Sequence, residues 1–366
     1  MKNPKTNNKV RIARYISAMG TASKGEIAKS LHMSMPTVLQ NVKELSELGV
    51  VTEEGEYAST GGRKAKALSV SREAGASVGV DITNHHITFV LVNTRKELTA
   101  SKRIFRTYVR DRAYMQALKE DIFQFIEGSG LLPEKILGIG FSLPGIVDQK
   151  KSLLLRSHTL KVKNVSFREL GGSLGYPFIL KNDANSAAEA ELGKKRPHAV
   201  YLSLSDTVGG AVYMEERLYE GDNLKSAEFG HMIIEREGRR CYCGKRGCLD
   251  AYCRAGILKE SAGAGLEEFF RLLREGDAHA GNVWEEYLDS VAVAVSNLRM
   301  VFDCDIILGG YVGGYLEEYM PRLSEKVKQY NNFDEDTKYL HTGKYGLEAS
   351  AYGAALYFID GFFERL

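Results

Sequence analysis

No run of apolar residues here approaches the roughly 20 needed to cross a bilayer, so no membrane-spanning helix is expected. The opening segment, Met1 to Val10, is basic and polar and lacks the apolar stretch of a secretory signal, so a cytoplasmic location is expected. Proline is scarce, seven in 366 residues, and low-complexity tracts are missing; the composition is that of a globular chain, 44% apolar and 26% charged. Cysteine is scarce as well, five in all, and a cytoplasmic chain leaves little role for disulfides. A large net charge is also lacking, at +2. Its distribution is uneven, however. Up to Gly75 there are 12 Lys+Arg against 7 Asp+Glu, and the remainder holds 37 against 40. A basic head on a mildly acidic body implies that only the head meets a polyanion. The length exceeds what one hydrophobic core usually serves, so two or three domains are expected.

Within the head, Val10, Ile12, Ala13, Ile16 and Met19 recur at helical spacing up to Gly20. Ser23 and Glu26 then stand at capping-box distance ahead of Ile27, Ala28 and Leu31. Ser34 is a good N-cap with Pro36 behind it, opening a third helix that turns Val38, Val42, Leu45 and Leu48 inward. Val50 to Thr52 and Lys66 to Val70 read as two strands around a Gly- and charge-rich loop. Three helices and a hairpin describe a winged helix-turn-helix over residues 1–70, ahead of a linker at 71–75. Side chains such as Ser34, Thr37, Gln40, Asn41 and Lys43 suit major-groove edges and backbone, and Arg63 and Lys64 on the wing suit phosphates or a narrow minor groove. Operator DNA is the expected partner; a winged helix used only for protein contacts is the alternative.

From Ala76 the pattern changes to strands alternating with helices: 78–82, 86–92, a helix over 113–126, then 136–141, 178–180, 200–204 and 306–308. Such alternation means an α/β fold with covered sheets, here over 76–366. The sequence Cys241-x-Cys243-x4-Cys248 lies in a Gly-rich stretch that can wrap an ion, with His231 ten positions upstream. Three thiolates and one imidazole suit tetrahedral zinc, and a closed set of four leaves no open position for catalysis. Structural Zn²⁺ on His231, Cys241, Cys243 and Cys248 is therefore expected. Arg239, Arg240, Lys245 and Arg246 would steady the thiolates.

Three further motifs accompany these. They are the strand and Pro-Gly turn Gly138-Ile139-Gly140-Phe141-Ser142-Leu143-Pro144-Gly145-Ile146-Val147-Asp148, the strand-to-helix junction at Asn182-Asp183-Ala184-Asn185, and Glu228-Phe229-Gly230-His231. In this order, behind a winged helix, the chain resembles the ROK family of sugar kinases and sugar-responsive repressors. The resemblance implies a two-lobed actin-like (ribonuclease H-like) ATPase fold, a sugar in the cleft, and a homodimer or homotetramer. It assigns sugar contacts to Asn182, Asp183, Glu228, His231 and Asp250, with Gly145 contributing backbone, and places the zinc loop beside the sugar. Asp183 matches the general base of the kinases, although Asn182 and Asp183 also suit a plain helix N-cap. Asp250 stands where Glu is usual, on a shorter arm.

The kinase reading is weaker. ROK kinases carry Asp-x-Gly-Gly-Thr at the first hairpin, where this chain has Asp81-Ile82-Thr83-Asn84-His85-His86. A second phosphate loop appears as Ser205-Asp206-Thr207-Val208-Gly209-Gly210, and only Leu308-Gly309-Gly310 retains part of the adenosine-side turn. Without glycines, backbone amides cannot close on phosphates. The expectation is a repressor that performs no catalysis, with an ATP-dependent sugar kinase using Asp183 as the alternative.

Overall fold

The computed structural model describes residues 7–56, 66–192, 196–331 and 333–366. Local chemistry sets each helix of the head. The Asn7 side chain accepts from the Lys9 amide to open α1 (Asn8–Met19), which ends at Gly20. After a short strand β1 (Thr21–Ala22), α2 (Lys24–Ser30) carries the reciprocal capping box of Ser23 and Glu26. Ser34 caps α3 (Met35–Glu47), with Pro36 in its first turn. β2 (Val51–Glu56) and β3 (Lys66–Val70) complete an antiparallel sheet in the order β1-β3-β2. Arg63 and Lys64 lie outside the described residues. Met19 and Leu48, expected inside, are each 60% exposed. Both stand at the last position of their helix or just past it, beyond the turn that meets the core.

The first lobe is built on β4 (Ala76–Ile82), β5 (His86–Asn93), β6 (Leu98–Phe105), β7 (Ile136–Leu143) and, after a three-stranded flap, a last strand. The flap is β8 (Ile146–Asp148), β9 (Leu153–Ser157) and β10 (Val162–Ser166), and the last strand is β11 (Phe178–Asn182). The sheet order is β11-β7-β4-β5-β6, with parallel pairs β11/β7 and β7/β4 and antiparallel pairs β4/β5 and β5/β6. α4 (Arg112–Gly128) and α5 (Arg168–Leu174) cover it, and α6 (Asp183–Leu192) leads to the second lobe. That lobe repeats the pattern with β12 (Ala199–Leu204), β13 (Val208–Met214), β14 (Arg217–Leu218), β15 (Asp305–Gly309) and β16 (Leu340–Thr342), in the order β14-β13-β12-β15-β16. Between β14 and β15 run α7 (Asp250–Cys253), α8 (Ala255–Ala262), α9 (Leu266–Arg274) and α10 (Ala278–Phe302). α11 (Gly310–Gly313) and α12 (Met320–Tyr330) precede β16, and α13 (Ala349–Glu364) ends the chain. Two meander-plus-parallel sheets flanking a cleft are the two-lobed arrangement expected.

α13 returns to the first lobe and lies unusually close to it. A Cβ on Gly79 would stand 1.9 Å from the Ala351 carbonyl, and one on Gly353 would stand 1.7 Å from the Ser186 carbonyl of α6. Glycine at these points lets helix, sheet and neighbouring helix touch through backbone. The head docks on the same helix. Ile12, Ile16, Val42 and Leu68 share one apolar cluster with Val90, Ala355, Ile359 and Phe363. Arg14 pairs with Glu364 at 2.6 Å, and the Asn7 amide donates to the Leu366 carbonyl at 3.1 Å. Each fully buried aliphatic of that cluster contributes about 1.5–3 kcal/mol, so more than chain connectivity holds the head. The linker is correspondingly tied. Thr94 donates to the Ser71 carbonyl at 2.5 Å, and Arg72 forks onto Glu97 at 2.9 and 3.0 Å.

Candidate effector cleft and metal centre

The edge of β11 runs directly into α6, and this junction presents Asn182 and Asp183 to the cleft. The Asn182 amide donates to the Gly145 carbonyl at 2.9 Å and to an Asp183 oxygen at 3.1 Å, while its own oxygen accepts from the Asn185 amide at 2.9 Å. The N-cap role is thus present together with the cleft position. Gly145 has φ +123°, and a Cβ there would stand 2.3 Å from the Arg156 carbonyl of the flap. Burial pushes the Asp183 carboxyl up to about 6, with Glu228 opposite adding to the rise. Glu228 stays open to the cleft, yet the surrounding protein removes enough water to raise its carboxyl too. Asn182, Asp183, Glu228, His231 and Gly145 line one connected cavity of about 1860 Å³, which continues past α6 and α13 to Arg14 of the head.

Asp250 departs from expectation. It is 1% exposed and accepts from the Val208 amide at 2.6 Å, so it does not line the cleft. From the first turn of α7 its short arm ends on that amide and braces the loop before β13. Two residues on the cleft wall carried no sequence signal for a ligand. Tyr242, between Cys241 and Cys243, places its hydroxyl 3.4 Å from His231 Nε2 and its ring 6.0 Å from that of His158 on the flap. Its position in the knuckle was the only available hint.

His231, Cys241, Cys243 and Cys248 bring their ligand atoms within 4.8 Å of one another. Cys243 and Cys248 sulfurs lie 3.8 Å apart, and Cys241 Sγ lies 4.0 Å from His231 Nδ1. A tetrahedron with ~2.3 Å metal–sulfur bonds spaces its sulfurs about 3.8 Å apart, whereas a disulfide needs about 2.05 Å. The residues therefore fit a zinc ion. Burial lowers His231, which favours the neutral imidazole a metal requires. The turn depends on Gly247, at φ +78°, whose Cβ would stand 1.8 Å from the Glu235 carbonyl. The basic neighbours engage elsewhere: Arg239 pairs with Glu286 at 2.9 Å and lies over Tyr252, and Arg246 donates to the Gly238 carbonyl.

At the loop before β13 the side chains bond within the second lobe, and one side chain of the first lobe reaches them. Asp206 holds Lys259 at 2.6 Å, and Ser205 Oγ accepts from the Tyr311 amide at 3.3 Å. Arg103 of β6 reaches across to stand 5.2 Å from the Tyr311 ring centre. His85 stacks on Phe105.

In the head, Ser34 and Thr37 bond each other at 2.8 Å, Asn41 donates to the Thr37 carbonyl at 2.7 Å, and Gln40 donates to Glu44 at 2.8 Å. Lys43 stands 3.8 Å from Glu47. Ser34, Gln40 and Lys43 are exposed, and Thr37 and Asn41 are half-buried.

Residues 77–360 match a family model described as the ROK family. A xylose repressor of Caldicellulosiruptor bescii is 25% identical over 348 residues, 88% of this chain and 87% of that protein. Among solved structures, a ROK family transcriptional regulator described as a homolog of E. coli MLC protein superposes with a TM-score of 0.76 at 18% identity, over 98% of this chain and 96% of that one. A ROK family glucokinase from Streptomyces griseus, solved with glucose and AMPPNP, gives 0.66 at 20% identity, over 77% and 99%. These structural likenesses fix the fold as the actin-like ATPase type.

Proposed function

The chain belongs to the ROK family, and from that premise we propose that it is a sugar-responsive transcriptional repressor acting in the cytoplasm. Residues 1–70 bind operator DNA, 71–75 connect, and 76–366 sense a sugar or sugar derivative. The observation that carries this reading is the docking of a winged helix-turn-helix onto α13, the helix that also packs against the cleft-lining α6. Asn182, Asp183, Glu228 and His231 offer the amide, carboxylates and imidazole that hold sugar hydroxyls, and a hydroxyl missing from the ligand would leave one unpaired at a real cost. Structural zinc on His231 and the three cysteines holds that wall in shape. No helix among the described residues is long and apolar enough to cross a membrane. Two-fold operators suit a homodimer or homotetramer.

The sugar acts by favouring one arrangement of lobes and heads over another. The test is binding of the purified protein to duplexes from its own upstream region and to random duplexes, across a salt series, with and without a panel of monosaccharides, their N-acetyl derivatives and phosphates. A salt-dependent preference altered by one sugar is expected; equal binding to both duplexes would overturn the reading.

The preserved Asp183 at the cleft supports a second reading, a sugar kinase with Asp183 as general base. That reading requires sugar-dependent ADP release abolished by Asp183→Asn. The Asp206–Lys259 pair, on the loop that departs from the glycine pattern of the family's kinases, weighs against it.

A further inference from the structure

The outward face of α3 differs from the polar reading surface that its composition suggests. Val38, Val42 and Leu45 are buried, which leaves Met35, Pro36, Leu39, Gln40 and Lys43 exposed at intervals i, i+1, i+4, i+5 and i+8. That spacing places all five along one strip of the helix. The polar residues of the helix are engaged locally: Asn41 with the Thr37 carbonyl, Gln40 with Glu44, and Thr37 with Ser34. Met35 and Leu39, one turn apart and 43% and 48% exposed, are apolar side chains with no polar task, in the half of the helix that enters a groove first.

An exposed leucine in water gains from any apolar surface it can cover. In the major groove the only apolar group on a base edge is the thymine C5 methyl. Resting on the DNA-binding reading above, we infer that Leu39, flanked by Met35, selects thymine at one or two positions of each operator half-site by covering its methyl group. The head as a whole carries 12 Lys+Arg against 7 Asp+Glu up to Gly75, and Lys43 stands at the end of the strip, 3.8 Å from Glu47; the surplus favours a polyanion over an apolar protein surface as the partner of the head.

Deoxyuridine tests the idea, because it removes that methyl and leaves every hydrogen-bonding edge intact. The full-length protein is used to select a duplex from a random pool. The winner is then resynthesised with deoxyuridine at each thymine in turn, and affinities are measured at fixed salt. One or two substitutions should weaken binding about fourfold each, the worth of a buried methyl-sized group. In Leu39→Ala the same substitutions should have no effect, while Met19→Ala, at an exposed position ending α1, should retain them; thermal melting checks that the surface variants remain folded. Uracil substitutions without effect on the unaltered protein, or an equal effect in Leu39→Ala, would overturn the inference and leave the repressor reading standing. Failure to select any duplex would instead remove the reading on which it rests.

Discussion

Asp81 gives the sharpest test of the electrostatics of the cleft floor. It is 4% exposed, accepts a hydrogen bond from Ser142 Oγ at 2.7 Å, and is pushed up to about 7 from 3.8, by burial first and by the nearby Asp183 second. A carboxyl whose folded value is raised binds its proton more tightly in the native than in the unfolded chain. Its contribution to stability is thus fully present below about pH 4 and is lost as pH rises through 7. Integrating the two titrations between pH 5 and pH 8 gives a loss of about 2–3 kcal/mol, a ceiling for a site that can relax. Asp81→Asn keeps the acceptor for Ser142 and has nothing to ionise. The variant should therefore gain on the unaltered protein as pH rises. With an unfolding entropy of about 2.1 cal/mol/K per residue over 366 residues, the gap in melting temperature should widen by about 3 °C from pH 5 to pH 8. Melting curves of both zinc-loaded proteins at the two pH values decide the matter. A gap that stays constant or narrows with rising pH would refute a buried, proton-binding Asp81.

Two further outcomes follow from the contacts around the cleft. His231→Ala should lower zinc affinity by more than about tenfold and reduce sugar-induced thermal stabilisation with it, read by metal analysis and melting, while the head keeps its helical signal. Sugar binding at full strength in zinc-free protein would separate the two roles. Ser350→Ala removes the donor that holds the Asp183 carbonyl at 3.1 Å, a loss of about 0.5–1.5 kcal/mol. Sugar affinity should remain within about twofold while the effect of sugar on operator affinity shrinks; an unchanged effect would mean that α13 does not transmit the signal.

Much of the architecture was legible because it rests on local rules. The capping box at Ser23 and Glu26, Ser34 ahead of Pro36, and the apolar runs at 78–82, 136–141 and 200–204 each carry their own signal, and each forms the element expected. The flap was not legible. β8, β9 and β10 are short, and Leu153 to Ser157 alternates only weakly, so its pairing comes from its partners rather than its pattern. The outward turn of Leu48 was missed for a related reason: helical spacing continues on paper past the residue at which the chain stops facing the core.

Site residues divide in the same way. His231 and the three cysteines, expected as zinc ligands, are close in sequence, so their spacing already encodes most of their geometry, and their atoms converge. Asp250 stands at a position to which the resemblance assigns a sugar contact, yet it is buried and accepts from the Val208 amide instead. Tyr242 and His158 meet only because the cysteine-rich turn of one lobe faces the flap of the other, a fact no periodicity contains. The placement of the head belongs to this third kind. Ile12 and Ile16 read simply as the inner face of a head helix, whereas Gly79 and Gly353 bring α13 against both β4 and α6, and α13 also shares an apolar cluster with α1. Three elements far apart in sequence thus share one helix. Because close-packed interiors transmit strain, α13, in backbone contact with α6, is the element through which the proposed sugar signal would reach the docked head.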